Sequence, residues 1–203
     1  MTGMIKKPEG QQHHGNLKEA LVLAGLEILE EDGLDGLSLR KCAARAGVSH
    51  AAPAHHFNGL AGLKSAIATR GYIRFEQLMR EGIDAAGPGK MDQVKGMCRG
   101  YIRFSTEHEA LFNLIFVQHS KLTPDPDRNA AAISARQVLT DACASLSVGH
   151  GGRDATEVAV WSLVHGFAKL IEIERVTPGS GDARDVSLED IFGILALKEA
   201  VNA

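Results

Sequence analysis

Cysteine, aromatic residues and long hydrophobic runs are all scarce in this chain of 203 residues. The three cysteines, Cys42, Cys98 and Cys143, are scattered and form no Cys-x-x-Cys pair, which argues against a disulfide framework and is typical of a reducing cytoplasm. The first residues lack the apolar run of a secretory signal, and the longest uncharged apolar stretch, 158–168, is far too short to cross a bilayer. These absences predict a cytoplasmic protein with no membrane contact.

Patterns typical of catalytic and metal sites are also missing from the sequence. There is no Ser-His-Asp set, no glycine-rich phosphate loop and no close pair of carboxylates. The pairs His13-His14 and His55-His56 are adjacent, whereas a metal site on a helix needs the i, i+4 spacing, and no cysteine joins them at ligand spacing. We therefore expect a protein that is not an enzyme, with no catalytic residues, no metal and no cofactor.

Acidic residues are absent from one continuous segment, although the whole chain carries a net charge of −3. Residues 36–75 contain no Asp or Glu and carry a charge of +6, which leaves −9 for the remainder. The six cations are Arg40, Lys41, Arg45, Lys64, Arg70 and Arg74. Segregated positive charge on an acidic protein is expected of a nucleic-acid-binding module, and an ordinary solvated basic face is the alternative.

Most of the chain has the spacing of apolar residues that is typical of helices. An N-terminal arm, 1–15, shows no periodicity, and glycine- and proline-rich breaks separate the segments that follow. The predicted helices span about 17–31, 38–46, 49–56, 60–83, 91–106, 108–119, 128–147, 153–175 and 187–201. No strand pattern competes with them, so the predicted fold class is all-α.

The second and third predicted helices have the features of a helix-turn-helix, in which two short helices meet at a glycine-containing turn. Ala43 is small enough for the helices to touch, and Gly47 can adopt the positive φ that the turn needs. Val48 can fill the space between the helices, and Ser38 and Ser49 are predicted to cap their N-termini. This spacing favours DNA binding over an ordinary pair of bundle helices.

Residues 17–63 resemble the N-terminal domain of TetR-family regulators. The matching motifs are Ser38-Leu39-Arg40, Ala43-Ala44-Arg45-Ala46-Gly47-Val48-Ser49 and His56-Phe57. The resemblance implies a homodimer with a three-helix DNA-binding domain (16–63) and a helical ligand-binding and dimerisation domain (64–203). It also implies a repressor that a small apolar effector releases from palindromic, double-stranded operator DNA.

The resemblance also places DNA contacts on this chain by position. Base-reading positions fall on His50, Ala51, Ala52 and His55, and phosphate-contacting positions on Ser38, Arg40, Ser49 and His56. Histidine can hydrogen-bond to base edges or phosphates, and an alanine methyl can touch a thymine methyl. For His56 the alternative is a structural role as a cap at the helix end.

Three residues depart from the family pattern. Members commonly carry Tyr at the position of Ala54 and Lys at that of Leu60, and both usually touch phosphate, so their loss predicts weaker non-specific binding. Pro53 lacks the amide that a helix capped by Ser49 would use, which predicts a recognition helix with a late or distorted start. The alternative function is a dimeric interaction module whose degenerate helix-turn-helix binds protein instead of DNA.

Aromatic residues of the C-terminal part fall in the predicted middle helices, where an apolar ligand cavity would lie. The candidate ligand-binding residues are Phe104, Phe112, Phe116, Trp161 and His165. Trp161 and His165-Gly166 resemble the Trp-His-Gly signature of one TetR subgroup. The alternative to ligand binding for Trp161 and His165 is packing in the core or at the dimer face, and we favour this alternative for both side chains. Gly166 within a helix predicts close packing around it. The family resemblance implies that the last two long helices form a four-helix bundle with their mates.

Overall fold

Eight α-helices make up most of the structure, a computed structural model that describes residues 12–118, 122–148 and 152–199. They are α1 (Gln12–Gly36), α2 (Leu39–Arg45), α3 (Gly59–Asp84), α4 (Lys90–Glu107), α5 (Glu109–Phe112), α6 (Pro126–Cys143), α7 (Gly152–Glu172) and α8 (Leu188–Phe192). Strands β1 (Leu146–Val148) and β2 (Leu197–Glu199) form a small antiparallel sheet. The predicted all-α class is confirmed. No helix in these ranges is long and apolar enough to span a membrane.

The N-terminal helices α1 and α2 pack against the first half of α3. Leu21 and Leu29 of α1 are fully buried together with Leu63 of α3, as their apolar spacing predicts. Gly33, where the sequence predicted the end of α1, has a φ of +68° and kinks the helix, which then continues for three residues. Residues 12–15, expected in the arm, belong to α1, and residues 1–11 lie outside the described part of the chain.

Helices α3 and α4 approach each other so closely that their backbones touch. A Cβ atom at Gly96 would lie 2.2 Å from the carbonyl oxygen of Gly82, and one at Gly100 would lie 2.1 Å from that of Leu78. Both distances are far shorter than a carbon and an oxygen atom can approach, so these positions accept only glycine. Helix α3 also packs against α6, and it therefore runs from the helix-turn-helix into the centre of the C-terminal domain.

The C-terminal end differs from its prediction. Helix α8 has five residues rather than the predicted span 187–201, and a 3-10 turn, Gly193–Leu195, follows it. Ala196 then adopts a left-handed conformation with a φ of 45°, which ends the helical path, and Leu197–Glu199 pairs with Leu146–Val148. Ser187 and Asp190 form a reciprocal capping box at the start of α8. Since α8 is short, the expectation that two long helices form the dimer bundle was wrong, and α7 is the long helix at this end.

Candidate DNA-binding surface and ligand cavity

Gly47 forms the turn of the helix-turn-helix, as predicted. It has a φ of +67°, a conformation that favours glycine. The Gly47 amide donates to the Ala44 carbonyl at 3.2 Å and the Val48 amide donates to the Ala43 carbonyl at 3.0 Å, which is the hydrogen-bond pair of a Schellman motif. Ala43 is fully buried and Val48 packs against the core. The turn geometry is therefore set by residues next to each other in sequence.

The recognition segment is a 3-10 turn, Ala52–His55, with Pro53 in its first turn. The predicted late start is confirmed, but the predicted cap by Ser49 was wrong, because Ala51 occupies the cap position and no side chain caps the turn. A regular helix would need an amide at Pro53 to bond to the Ser49 carbonyl; instead the Ala52 amide donates to that carbonyl at 3.0 Å. Ser38 does cap α2, since its hydroxyl accepts from the Lys41 amide at 3.2 Å.

The residues predicted to contact DNA lie on an accessible surface around this turn. Ser49, His50, Ala51 and His55 are exposed, Ala52 and His56 are half-buried, and on α2 Ser38 is half-buried and Arg40 exposed. Beneath them, Pro53 and Phe57 are buried and anchor the segment to the core. The structure thus leaves all eight residues at least partly accessible; their roles in DNA binding stay a prediction.

Acidic side chains from outside the acid-free segment cover part of its positive charge. Three of the six cations pair with α1, and a fourth pairs further along α3. The pairs are Lys41–Asp32 at 3.0 Å, Arg45–Glu31 at 2.6 Å, Arg70–Glu19 at 2.5 Å and Arg74–Glu81 at 3.5 Å. Arg40 and Lys64 form no ion pair within the described residues. The surface is therefore less positive than the sequence window alone indicated.

A cavity of about 450 Å³ lies between α3, α4, α6 and α7, within the range typical of small-molecule sites. Five aromatic residues contribute to its walls: Tyr72, Phe75, Tyr101, Phe116 and Trp161. Phe116 lies in a π-helical turn, Asn113–Val117, that follows α5. The Tyr72 hydroxyl donates to the carbonyl oxygen of Ile115 in the same turn at 3.1 Å. Single π-turns occur frequently at functional sites.

The five predicted ligand residues all lie at or behind the wall of this cavity. Phe116 and Trp161 line it directly. Phe104 and Phe112 are buried in the next layer, with ring centroids 5.1 Å from Phe75 and 4.9 Å from Phe116, respectively. His165 lies behind Tyr101, and its ring stacks on Phe112 with centroids 5.6 Å apart. Whether any of the five contacts a ligand stays a prediction.

Sequence analysis missed the contribution of α3 and α4 to this cavity. Tyr72, Phe75 and Met79 line it from α3 and Tyr101 from α4. The signal was present, because Tyr72, Phe75 and Met79 have the three-four spacing of a single helix face. Ile73, next to Tyr72 in the sequence, is exposed in the structure and does not belong to this face.

Comparison with known proteins agrees with this architecture. Residues 94–192 match the family model of the tetracyclin repressor-like C-terminal domain. An uncharacterized HTH-type transcriptional regulator of Bacillus subtilis (strain 168), YobS, is 24% identical over 163 residues, which cover 79% of this chain and 81% of YobS. The matches support a TetR-family regulator.

Solved structures share the fold of this TetR-like protein. A protein with unknown function from Rhodococcus sp. RHA1 is 26% identical, with a TM-score of 0.71 over 93% of this chain and 96% of that one. A TetR family transcription regulator from Marinobacter aquaeolei VT8 is 12% identical, with a TM-score of 0.61 over 94% of this chain and 100% of its own. The second likeness concerns the fold alone.

Tyr101, which is buried, and His165, which is half-buried, form a polar pair at the cavity wall. The Tyr101 hydroxyl lies 2.8 Å from Nδ1 of His165. Burial raises the pKa of Tyr101, so the hydroxyl keeps its proton at neutral pH. Burial and then the nearby Lys169 lower the pKa of His165, while Glu172 opposes them. A protonated tyrosine facing a neutral imidazole offers the cavity a polar group without a charge.

We expect the protein to lose stability as the pH falls below the ordinary histidine pKa of 6.5, because folding lowers the pKa of His165. Below that value the unfolded chain binds more protons at this residue than the folded chain. The contribution is therefore complete at pH 7.5 and is lost as the pH falls from 6.5 to the folded pKa. Urea unfolding at pH 7.5 and 5.5 measures it, and His165→Asn should lose less stability over this interval. Equal losses in the two proteins would contradict the assignment.

Proposed function

We propose that the protein is a homodimeric transcriptional repressor, which a small apolar effector releases from a palindromic operator. The observation that carries the proposal is that α3 joins the two candidate sites. It begins at Gly59, two residues after the buried Phe57 of the helix-turn-helix, and it provides Tyr72, Phe75 and Met79 to the cavity. A ligand that moves α3 therefore changes the spacing of the two recognition segments. The change in operator affinity equals at most the difference in effector affinity between the two states.

In this proposal residues 16–63 form the DNA-binding domain and residues 64–203 the ligand-binding and dimerisation domain. His50, Ala51, Ala52 and His55 contact base edges, and Ser38, Arg40, Ser49 and His56 contact phosphates. The C-terminal domain belongs to the Trp-His-Gly subgroup, and the protein acts in the cytoplasm without catalysis or cofactor. In the described ranges no three His, Cys, Asp or Glu side chains are grouped as metal ligands.

An uncovered apolar face of α7 supports the homodimer. Val158 and Leu170 are 56% and 42% exposed and lie on the same side of the helix as Gly166, and Ile173, which directly follows α7, is 58% exposed. The opposite side, with Val160 and Val164, is buried in the protomer. Large apolar side chains clustered on one exposed face are typical of an interface, and a symmetric face gives the two-fold dimer that a palindrome requires.

Selection of bound sequences from a random oligonucleotide pool tests the function, and it should be performed at two salt concentrations. A repressor of this kind recovers a palindrome at both, with an affinity that falls as salt rises. Retention that is weak and independent of sequence would reject the proposal in favour of an interaction module that binds protein. Turnover of an added ligand would instead indicate an enzyme centred on Trp161 and His165.

Substitutions at two exposed residues should separate base reading from phosphate contact. His50→Ala is expected to reduce discrimination between the selected operator and single-base variants by about tenfold. Arg40→Ala should weaken binding to all sequences by a similar factor and lower the slope of log K against log salt by about one. Fluorescence anisotropy at several salt concentrations measures both effects. Lys90→Ala, which removes an exposed cation from α4, is the control. The reverse pattern would refute the two assignments.

A further inference from the structure

A buried arginine without a carboxylate partner lies at the start of α6. Arg128 is only 5% exposed. Its Nη1 atom donates to the Ser65 hydroxyl at 3.1 Å and to the carbonyl oxygen of Thr123 at 2.8 Å, both of which are neutral acceptors. Its Nε atom is buried and has no hydrogen-bond partner, and no carboxylate in the described ranges forms an ion pair with the guanidinium. Arginine keeps its proton at all ordinary pH values, so this positive charge is buried unpaired.

Arg128 lies on the face of α6 that lines the cavity. Ala132, Ala135 and Leu139 line the cavity from this helix, and they follow Arg128 by four, seven and eleven residues. This is the spacing of one helix face. Arg128 therefore lies on the same face of α6 one turn before Ala132, next to the lining residues.

Helix α3 places its own lining face against the same end of the cavity. Ser65 precedes the lining residues Tyr72 and Phe75 by seven and ten residues, again on one helix face. The hydrogen bond between Arg128 and Ser65 therefore joins the two helix faces that line the cavity, just outside the lining residues themselves. Burial raises the pKa of Tyr72, and the positive charge of Arg128 acts against that rise.

The other arginine at the cavity is already paired with a carboxylate. Arg136 donates through Nε to Oε1 of Glu157 at 2.9 Å, and Glu157 also accepts from the Thr140 hydroxyl at 2.9 Å. The Arg136 side chain is 65% exposed, so water also solvates its charge. The available buried cation is therefore Arg128.

We infer that the effector is an apolar acid, whose carboxylate pairs with Arg128 while its aromatic or aliphatic body fills the aromatic cavity. This inference rests on the proposed role of the cavity as the effector site. A buried guanidinium is costly without an anion, and a carboxylate supplies both the opposite charge and strong hydrogen-bond acceptors for the orphaned Nε. The Arg128 guanidinium also donates to Ser65 of α3 and so connects α6 to α3, the helix that follows the helix-turn-helix. The effector carboxylate would therefore compete with Ser65 for this guanidinium.

Two matched pairs of probes test the inference on the full-length protein: 2-naphthoate with 2-naphthamide, and octanoate with octanamide. Each acid should bind about ten- to a hundredfold more tightly than its neutral amide by isothermal titration calorimetry. Trp161, the single tryptophan of the chain, lines the cavity, so its fluorescence reports where the octanoate pair binds. Equal affinity for acid and amide would overturn the inference and leave the cavity as an effector site. Failure of all four probes to bind would overturn both.

Variants assign the preference to Arg128. Arg128→Met should remove the preference for the acids and keep binding of the amides, whereas Arg128→Lys and Ser65→Ala should keep the preference, since both retain the cation. Arg136→Met is the matched control and should also keep it. A preference that survives in folded Arg128→Met would overturn the assignment. If circular dichroism shows that Arg128→Met does not fold, the wild-type protein and Ser65→Ala provide the test instead. Absence of a preference for the acids in either of these two proteins would overturn the assignment to Arg128.

Discussion

Gly100→Ala is expected to destabilise the protein by about 3 kcal/mol, the upper range of overpacking in a tight interface. The new methyl carbon would lie 2.1 Å from the carbonyl oxygen of Leu78 and 2.7 Å from the Cα of Met79. Both are backbone atoms, so no side-chain rotation relieves the overlap and α3 must move away from α4. The movement would also displace Tyr101, which follows Gly100 directly and lines the cavity.

Urea unfolding of Gly100→Ala and of Gly62→Ala measures the effect against a matched control. Gly62 also lies in a packed helix, α3, but the nearest atoms to its Cβ, in Phe57, are 3.5 Å away, which is ordinary van der Waals contact. Gly62→Ala should therefore be neutral or stabilising by up to about 1 kcal/mol, the difference in helix propensity. If both variants have wild-type stability, the close approach of α3 and α4 is wrong.

Gly166→Glu is expected to convert a dimer into a folded monomer and to lower operator affinity by about a thousandfold, since a monomer binds a single half-site and keeps little beyond non-specific affinity. No atom of the described protomer lies within 4 Å of a Cβ at Gly166, so the protomer itself tolerates the side chain. A second copy packed on the exposed face of α7 would instead bury an unpaired carboxylate.

Light scattering and operator titration of Gly166→Glu measure these two losses. Ile133→Glu is the control, because Ile133 is 68% exposed on α6 and lies outside the α7 face; it should stay dimeric. A folded Gly166→Glu that remains a dimer would show that α7 is not the interface. The sequence predicted close packing around Gly166, and within the protomer that packing is missing, which leaves it to the partner.

Features that depend on neighbouring residues were predictable from the sequence. The Gly47 turn and the cap by Ser38 depend on hydrogen bonds between residues at most five positions apart. The late start at Pro53 follows from one missing amide. The order of helices also followed from apolar periodicity, because each helix buries one face.

Features that depend on distant residues were not predictable in the same way. The pairing of Lys41 and Arg45 with acids of α1 joins positions nine and fourteen residues apart, so charge along the sequence overstated the positive surface. Residues 197–199 are a strand because 146–148 lies beside them, whereas alone they fit a helix. On α3, Ile73 and Tyr72 are both apolar enough for a core, and only the positions of α4 and α6 decide which one is buried.

The short recognition segment limits how much sequence each protomer can read. Four residues in 3-10 geometry, Ala52–His55, extend for about 8 Å at about 2.0 Å per residue. Successive base pairs are about 3.4 Å apart, so the segment spans two to three of them. With His50 and Ala51 included, the half-site is still only a few base pairs long, and so short a sequence recurs by chance many times in a genome. In the proposed dimer, the information that singles out one operator would therefore come mainly from the fixed distance between two such half-sites, which would make the rigidity of the dimer a determinant of specificity in its own right.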